Sequence, residues 1–137
     1  MDNKELIRLA LEAREMAYVP YSGFKVGAAL LTKEGEVYKG CNIENAGYTP
    51  TNCAERTAFF KAVSEGEREF SAIAIVGGKG GLPTDYAYPC GVCRQVMTEF
   101  CNPNEFNVIT ARSADDFTVY KLKELLPNGF GPSDLSF

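Results

Sequence analysis

Three cysteines and one glutamate occur at a spacing that suits a metal site. The segment TNCAERTAFF places Cys53 two residues before Glu55, and the segment YPCGVCRQ contains Cys90 and Cys93. Three thiols are one too many for a disulfide and one too few for a closed, cysteine-only zinc site, which has four ligands. A catalytic zinc site has three protein ligands and keeps the fourth position for water. The spacing therefore predicts a catalytic Zn²⁺ site, one per subunit, with Cys53, Cys90 and Cys93 as its ligands.

Both cysteine groups begin predicted helices, and the residues beside them suit the same site. The unpaired N–H groups and partial positive charge of a helix N-terminus favour a thiolate. Glu55 is close enough to a ligand to reach the water without binding the metal, so it is predicted to be the proton shuttle. Arg56 and Arg94 would hydrogen-bond ligand sulfurs and draw off negative charge, and the alternative for both is a surface ion pair.

Each residue also has a simpler interpretation. Cys90 and Cys93 alone would fit a redox pair, although their lead-in is a loop and not a buried strand. Cys53 alone would fit a buried apolar position, and Glu55 has capping-box spacing from Asn52. Their joint occurrence at two helix starts favours the metal site.

A structural zinc module remains a different class of explanation. A fourth ligand such as Glu55, Asp85 or another cysteine would close the site to water and make it inert. Structural sites usually show two Cys-x-x-Cys pairs, and the chain has one.

The composition limits the possible functions. The chain has 137 residues, enough for a single domain over residues 1–137. It has 14 basic and 18 acidic residues, a net charge of −4 and no basic stripe, so neither nucleic acid nor a membrane surface is an expected partner. It has no histidine, which excludes imidazole-dependent mechanisms. No apolar run is long enough to span a bilayer, and the charged N-terminal segment does not resemble a secretory signal, so a cytoplasmic location is expected. Cys41 and Cys101 are expected to be free, buried thiols.

Hydrophobic periodicity and turn residues predict alternating helices and strands, with Asn3 as the first helix cap. We expect an α/β fold with helices on the faces of a mixed sheet. The expected elements are a helix over 3–18, strands over 24–32 and 37–42, a loop over 43–52, a helix over 53–64, a strand over 71–77, a loop over 79–89, a helix over 91–100, strands over 106–111 and 117–120, and a helical turn over 123–126.

The CAE and PCGVC segments together resemble the zinc-dependent cytidine deaminases, which carry a ligand-x-Glu motif followed by Pro-Cys-x-x-Cys. The all-cysteine ligand set is similar to the short, homotetrameric branch of that family. The segments YSGFKVGAA, GCNIENA and LLPNGFGP extend the resemblance from about residue 20 to residue 132. It implies a three-layer α-β-α fold with a roughly five-stranded mixed sheet, and active sites shared between subunits.

The resemblance also implies roles for individual residues. Glu55 would be catalytic. Asn42 and Glu44 would hydrogen-bond the ribose, and Phe24 would pack on the nucleoside, although core packing is its alternative. Phe130 would stack on the base of a neighbouring subunit, with Tyr48 contributing across an interface. Backbone groups near Ala54 and Cys90 would hold the edge of the base in register.

The implied reaction is the hydrolytic deamination of cytidine and 2′-deoxycytidine to uridine and 2′-deoxyuridine, a step of pyrimidine salvage. Deaminases of cytosine nucleoside antibiotics share the zinc pattern and are the alternative, while the acidic balance argues against nucleic-acid editing. The chain departs from the family pattern at Pro50, which stiffens the loop before the zinc helix.

Overall fold

The computed structural model describes residues 1–135. Within that range the chain forms helices α1 to α4, strands β1 to β5 and a final 3₁₀ turn. In chain order these are α1 (Asn3–Arg14), β1 (Phe24–Thr32), β2 (Val37–Cys41), α2 (Ala54–Ser64), β3 (Phe70–Lys79), α3 (Gly91–Phe100), β4 (Asn107–Ser113), β5 (Asp116–Lys121), α4 (Leu122–Leu125) and the 3₁₀ turn (Pro132–Leu135).

The five strands form one mixed sheet in the order β2-β1-β3-β4-β5. β1 pairs antiparallel with both β2 and β3, and β4 pairs antiparallel with β5. β3 and β4 run parallel, so the chain must cross over between them, and α3 lies in that crossover. The expected mixed, five-stranded sheet is therefore confirmed.

Helices cover both faces of the sheet, as the α-β-α prediction requires. α1 packs on one face over alternate strand residues such as Ala29, Ala74 and Ile109. α2 and α3 pack on the other face over Leu30, Ile73 and their neighbours. Since β3 is buried on both faces, its near-continuous apolar run SAIAIV is the sequence of a central strand.

Two glycines let the helices approach the sheet closely. A Cβ on Gly27 would lie 2.1 Å from the carbonyl oxygen of Ala10 in α1. A Cβ on Gly40 would lie 2.4 Å from the carbonyl oxygen of Ala54, at the first turn of α2. The glycine in β2 therefore allows the N-terminal end of α2 to sit directly on the strand that leads to Asn42.

The sequence-based boundaries are wrong mainly in α1. The helix ends at Arg14 and not at residue 18, because Tyr18 instead donates its N–H to the carbonyl of Asn42 and accepts from the N–H of Glu44. Asn3 is not the cap, since the Asp2 side chain accepts from the Glu5 N–H. The other boundaries differ by one or two residues, a normal variation at element ends.

Within residues 1–135, no helix combines the length and apolar character that a membrane crossing requires.

Candidate zinc and substrate site

The three predicted ligand cysteines converge at the N-termini of two neighbouring helices. Cys53 is the N-cap of α2 and Cys90 is the N-cap of α3, with Cys93 in the first turn of α3. The Cys53 and Cys90 sulfurs are 3.7 Å apart, and the Cys90 and Cys93 sulfurs are 3.5 Å apart. The three sulfurs all lie within 4.8 Å of one another. Two helix ends therefore present three thiols to one point.

The sulfur positions fit a zinc ion. A tetrahedral ion with Zn–S bonds of about 2.3 Å separates its sulfurs by about 3.8 Å, close to the observed values. Among the described residues, the metal-ligating group consists of the three cysteines alone and includes neither Glu55 nor Asp85. The arrangement matches a three-ligand site with an open fourth position, and it gives no support to a closed structural site.

Arg56 lies beside the ligands, as predicted. Its Nη2 donates to the Cys53 sulfur at 3.2 Å. Hydrogen bonds to Cys53 from the Cys93 thiol, Arg56 and Cys90 lower the pKa of Cys53 to about 5, against the opposing effect of burial. The site is therefore electrostatically prepared to hold a thiolate, the form that binds zinc.

Glu55 is almost fully buried, with 4% of its surface exposed. Burial raises the pKa of its carboxyl to about 7, and the negative charge of Cys53 adds to the increase. An acid–base group with a pKa near neutrality can both accept and release a proton. The capping interaction with Asn52 does not form, because the Asn52 amide donates to the Thr57 hydroxyl and Cys53 is the N-cap.

Glu55, Cys53 and Cys90 line a pocket of about 410 Å³. Its walls come from β1, β3, the residue after β2, the start of α2 and the loop between β3 and α3, and Phe24 and Asn42 line it as expected. The full lining is Phe24, Val26, Asn42, Cys53, Ala54, Glu55, Ile75, Tyr86, Ala87, Tyr88 and Cys90.

Asn42 and Glu44 are both tied to the start of β1. The Asn42 side chain accepts from the Val26 N–H at 2.9 Å and donates to the Phe24 carbonyl at 2.8 Å. Glu44 accepts from the backbone N–H groups of Tyr21 and Ser22 and from the Ser22 hydroxyl at 2.5 Å. The Ser22 hydroxyl bond is the largest cause of the lowered pKa of Glu44, so its carboxyl is ionised.

Glu44 and Tyr48 line a neighbouring depression and not the cysteine pocket of this subunit. Tyr48 is 77% exposed and has a positive φ of 60°, which is unusual for a non-glycine residue. Phe130 is 57% exposed, and its carbonyl accepts from the Gln95 amide. Neither aromatic ring therefore reaches the pocket of its own chain.

Two side-chain expectations require correction. Arg94 contacts no sulfur and forms none of the ion pairs found among the described residues, because it donates to the carbonyls of Pro89 and Leu125. It joins the Pro-Cys-x-x-Cys turn to the end of α4. Cys41 and Cys101 are free thiols as expected, but Cys41 is only half-buried because it lies on the edge strand β2.

Sequence reasoning missed the pocket wall formed by Tyr86, Ala87 and Tyr88. The wall lies in a segment with no hydrophobic period, although its closeness to Cys90 in sequence was a usable signal. Sequence reasoning also missed Arg14, which is 1% exposed. Its side chain donates to the backbone carbonyls of Lys25 in β1 and Gly78 in β3. Its position between Ala10 and Ala17, on the apolar face of the helix predicted over 3–18, was the available signal.

A family model described as the zinc-binding region of cytidine and deoxycytidylate deaminases matches residues 1–109. The chain belongs to this family of deaminases. It is 52% identical to a cytidine deaminase of Sporosarcina psychrophila, over 100% of this chain and 97% of the relative. It is also 52% identical to a cytidine deaminase of Halalkalibacterium halodurans, over 99% of both chains.

Solved structures agree with the fold and the family. The cytidine deaminase of Burkholderia pseudomallei superposes with a TM-score of 0.86 at 49% identity, covering 95% of this chain and 100% of that one. The cytidine deaminase of Mycobacterium tuberculosis superposes with a TM-score of 0.80 at 38% identity, covering 96% and 98%. The three-layer fold and the zinc site expected from the sequence are therefore both confirmed.

Proposed function

We propose that the chain, as a single catalytic domain over residues 1–137, deaminates cytidine and 2′-deoxycytidine hydrolytically and releases ammonia, as in pyrimidine salvage. One observation carries the proposal: three convergent thiols and a buried carboxyl, Glu55, lie together at one pocket. Relatives at 52% identity named cytidine deaminase support the same reaction.

The cysteines Cys53, Cys90 and Cys93 would hold the zinc ion. When bound with its fourth position open, zinc supplies Lewis-acid activation of water. Arg56 shares the negative charge of the Cys53 sulfur through its hydrogen bond. This interaction limits the loss of metal acidity that three thiolates would otherwise cause.

Glu55 is the proton carrier. It accepts a proton from the attacking water and passes it to N3 of the cytosine ring, so that C4 becomes more electrophilic. After the hydroxyl has added at C4, Glu55 takes the remaining hydroxyl proton and delivers it to the amine, which leaves as ammonia while the C4 carbonyl forms. Its burial at 4% exposure and its pKa of about 7 support this role, because the carboxyl can hold or release a proton near neutral pH.

Asn42, Phe24 and the backbone near Ala54 bind the nucleoside in the pocket, and its ribose extends toward the neighbouring depression, where Glu44 takes the 3′-hydroxyl. The hydrogen bonds of Asn42 to the start of β1 leave one N–H of its amide group free to donate. Glu44 is ionised, and its side chain is held by the Tyr21–Ser22 turn, which supports a fixed acceptor for a hydroxyl.

The protein works as a homotetramer in which Phe130 and Tyr48 reach a neighbouring subunit's pocket. Both rings are largely exposed and do not line the pocket of their own chain, which supports their use elsewhere. Light scattering after size exclusion tests the four-subunit state, and Phe130→Ala is expected to raise KM for cytidine. Within residues 1–135 none of the five cysteines is paired in a disulfide, which supports a cytoplasmic location.

The direct test of the chemistry compares Glu55→Gln with the wild type in an ultraviolet absorbance assay of cytidine conversion. We expect the variant to keep its zinc and fold but to lose turnover by about 10²- to 10⁴-fold, the range for a lost acid–base group. Glu65→Gln, at the exposed end of α2, is the matched control. Removal of zinc from the wild type should abolish conversion. Normal turnover by Glu55→Gln would remove this residue from the chemistry.

A further inference from the structure

One wall of the substrate pocket is held from outside by the hairpin of β4 and β5. The wall is the segment Tyr86–Tyr88 in the loop between β3 and α3, and both tyrosines line the pocket. Tyr88 packs edge-on against Tyr120 of β5, with ring centroids 6.2 Å apart. A hairpin that contributes no pocket residue therefore contacts the pocket wall.

Tyr86 has the more elaborate attachment. Its hydroxyl donates to Oδ1 of Asp116, the first residue of β5. Oδ2 of the same carboxylate accepts from Nε of Arg112 at 2.7 Å, with Nη2 of Arg112 at the same distance. The guanidinium carbon of Arg112 lies 4.7 Å from the centre of the Tyr86 ring. The three side chains form a closed set in which each touches the other two.

The charges in this set favour one arrangement of the Tyr86 ring. The hydrogen bond from Tyr86 lowers the pKa of Asp116 and raises the pKa of the tyrosine, so a neutral hydroxyl faces a carboxylate. Arg112 neutralises that carboxylate and also covers the ring with a cation, which adds a cation–π attraction. Rotation of Tyr86 out of the wall would break both interactions together.

We propose that Tyr86 is a substrate-contacting residue of the pocket and that Asp116 and Arg112 are positioning residues that fix its ring. The proposal rests on the cytidine deamination proposed above and adds three residues to the substrate site. Tyr86 lies in the wall, Asp116 and Arg112 lie outside the pocket, and the hydrogen bonds of the set do not reach Glu55 or the ligand cysteines. Its effect therefore falls on substrate binding and not on proton transfer. An interaction made equally in the ground and transition states changes KM and leaves kcat nearly constant.

The test uses the holoenzyme with the variants Asp116→Ala and Tyr86→Phe. The first removes the anchor, while the second keeps the ring and removes the hydroxyl. Each is expected to raise KM for cytidine about five- to tenfold, the size of one aromatic contact, with kcat within about twofold of the wild type. Asp116→Asn keeps an oxygen acceptor for Tyr86 and should recover part of the loss.

The neighbouring residue provides a matched control. Asp115 lies in the same turn, is 83% exposed and pairs with Lys4, away from the pocket. Asp115→Ala should leave KM and kcat unchanged. The double variant Tyr86→Phe/Asp116→Ala should resemble the single variants, because both substitutions break the same hydrogen bond.

The proposal is overturned if KM stays within about twofold of the wild type in both single variants, if their effects add in the double variant, or if Asp115→Ala matches Asp116→Ala. A structural role alone would lower the unfolding temperature without raising KM. Failure of the deaminase proposal would give a different result, because the zinc-loaded wild type would then not convert cytidine. The positioning role is then still measured by equilibrium dialysis of cytidine, whose Kd should rise in Asp116→Ala.

Discussion

Arg14 is a buried cation whose hydrogen bonds all go to backbone carbonyls. Its replacement tests how much these bonds stabilise the start of β1 and the end of β3. It is 1% exposed, and among the described ion pairs none includes it. Its guanidinium donates to the carbonyl of Lys25 at the start of β1 and to that of Gly78 near the end of β3. It also donates to the carbonyls of Gly80 and Gly81, which begin the following loop. Arg14→Met keeps much of the side-chain stem and removes every donor.

The expected loss of stability follows from those four bonds. The bond to Gly78, at 2.7 Å, is buried, so its carbonyl would lose its donor at a cost of about 1–3 kcal/mol. The other three bonds are partly buried, and water can replace the donor there at roughly 0.5 kcal/mol each. Relief of the desolvation of the guanidinium offsets part of the sum. We expect Arg14→Met to lose about 3 kcal/mol and about 10 °C in Tm.

The assay is thermal unfolding followed by circular dichroism, at fixed concentrations of protein and zinc because association shifts Tm. Arg8→Met, on an exposed position of α1, is the matched control and should change stability by less than about 0.5 kcal/mol. Arg14→Lys should recover less than half of the loss, because one ammonium cannot reach all four carbonyls. Faster amide exchange in the loop 79–89 is expected alongside. A Tm for Arg14→Met within about 3 °C of the control would refute the reasoning.

Two other predictions concern the cysteines and their surroundings. Arg56→Gln should weaken zinc retention or turnover by about 10- to 100-fold, because the Cys53 sulfur loses its hydrogen bond. Zinc retention is measured by the rate of zinc release to a chelator, and turnover by kcat. If both the release rate and kcat were unchanged, the prediction would be wrong. Burial raises the pKa of Cys101 to about 12, so at pH 8 very little of it is the reactive thiolate, and iodoacetamide should label it only after unfolding. Peptide mass mapping of native and unfolded samples would detect early labelling of Cys101, which would disprove the assigned environment.

The sequence predicted the metal ligands because their constraint is local. Cys53 and Cys90 are helix N-caps, and a helix start can be located from a few neighbouring residues. The central strand β3 was predictable for a similar reason, since only burial on both faces tolerates a continuous apolar run. Because one zinc ion needs all three thiols, the two helix ends that carry them were expected to lie close together.

Features that depend on contacts distant in sequence were missed. The end of α1 was misplaced because Tyr18 pairs with the chain around residue 43, a competitor that helix periodicity cannot reveal. The resemblance places Asn42 and Glu44 together at the ribose. Regular strand β2 ends at Cys41, however, and Glu44 instead turns toward Ser22 and a neighbouring depression.

The pocket wall formed by Tyr86–Tyr88 shows most clearly why part of the candidate site could not be predicted from the sequence. Hydrophobic periodicity does not indicate which residues between Lys79 and Pro89 face the substrate, because glycine and proline there remove any period. The orientation of Tyr86 is set by Asp116, 30 residues further along the chain, and the start of the loop is held by Arg14. The zinc ligands occupy rigid helix ends, whereas this wall depends on side chains from β5 and α1. Relatives that share every ligand could therefore differ in substrate affinity through residues such as Asp116, without any change in the metal site.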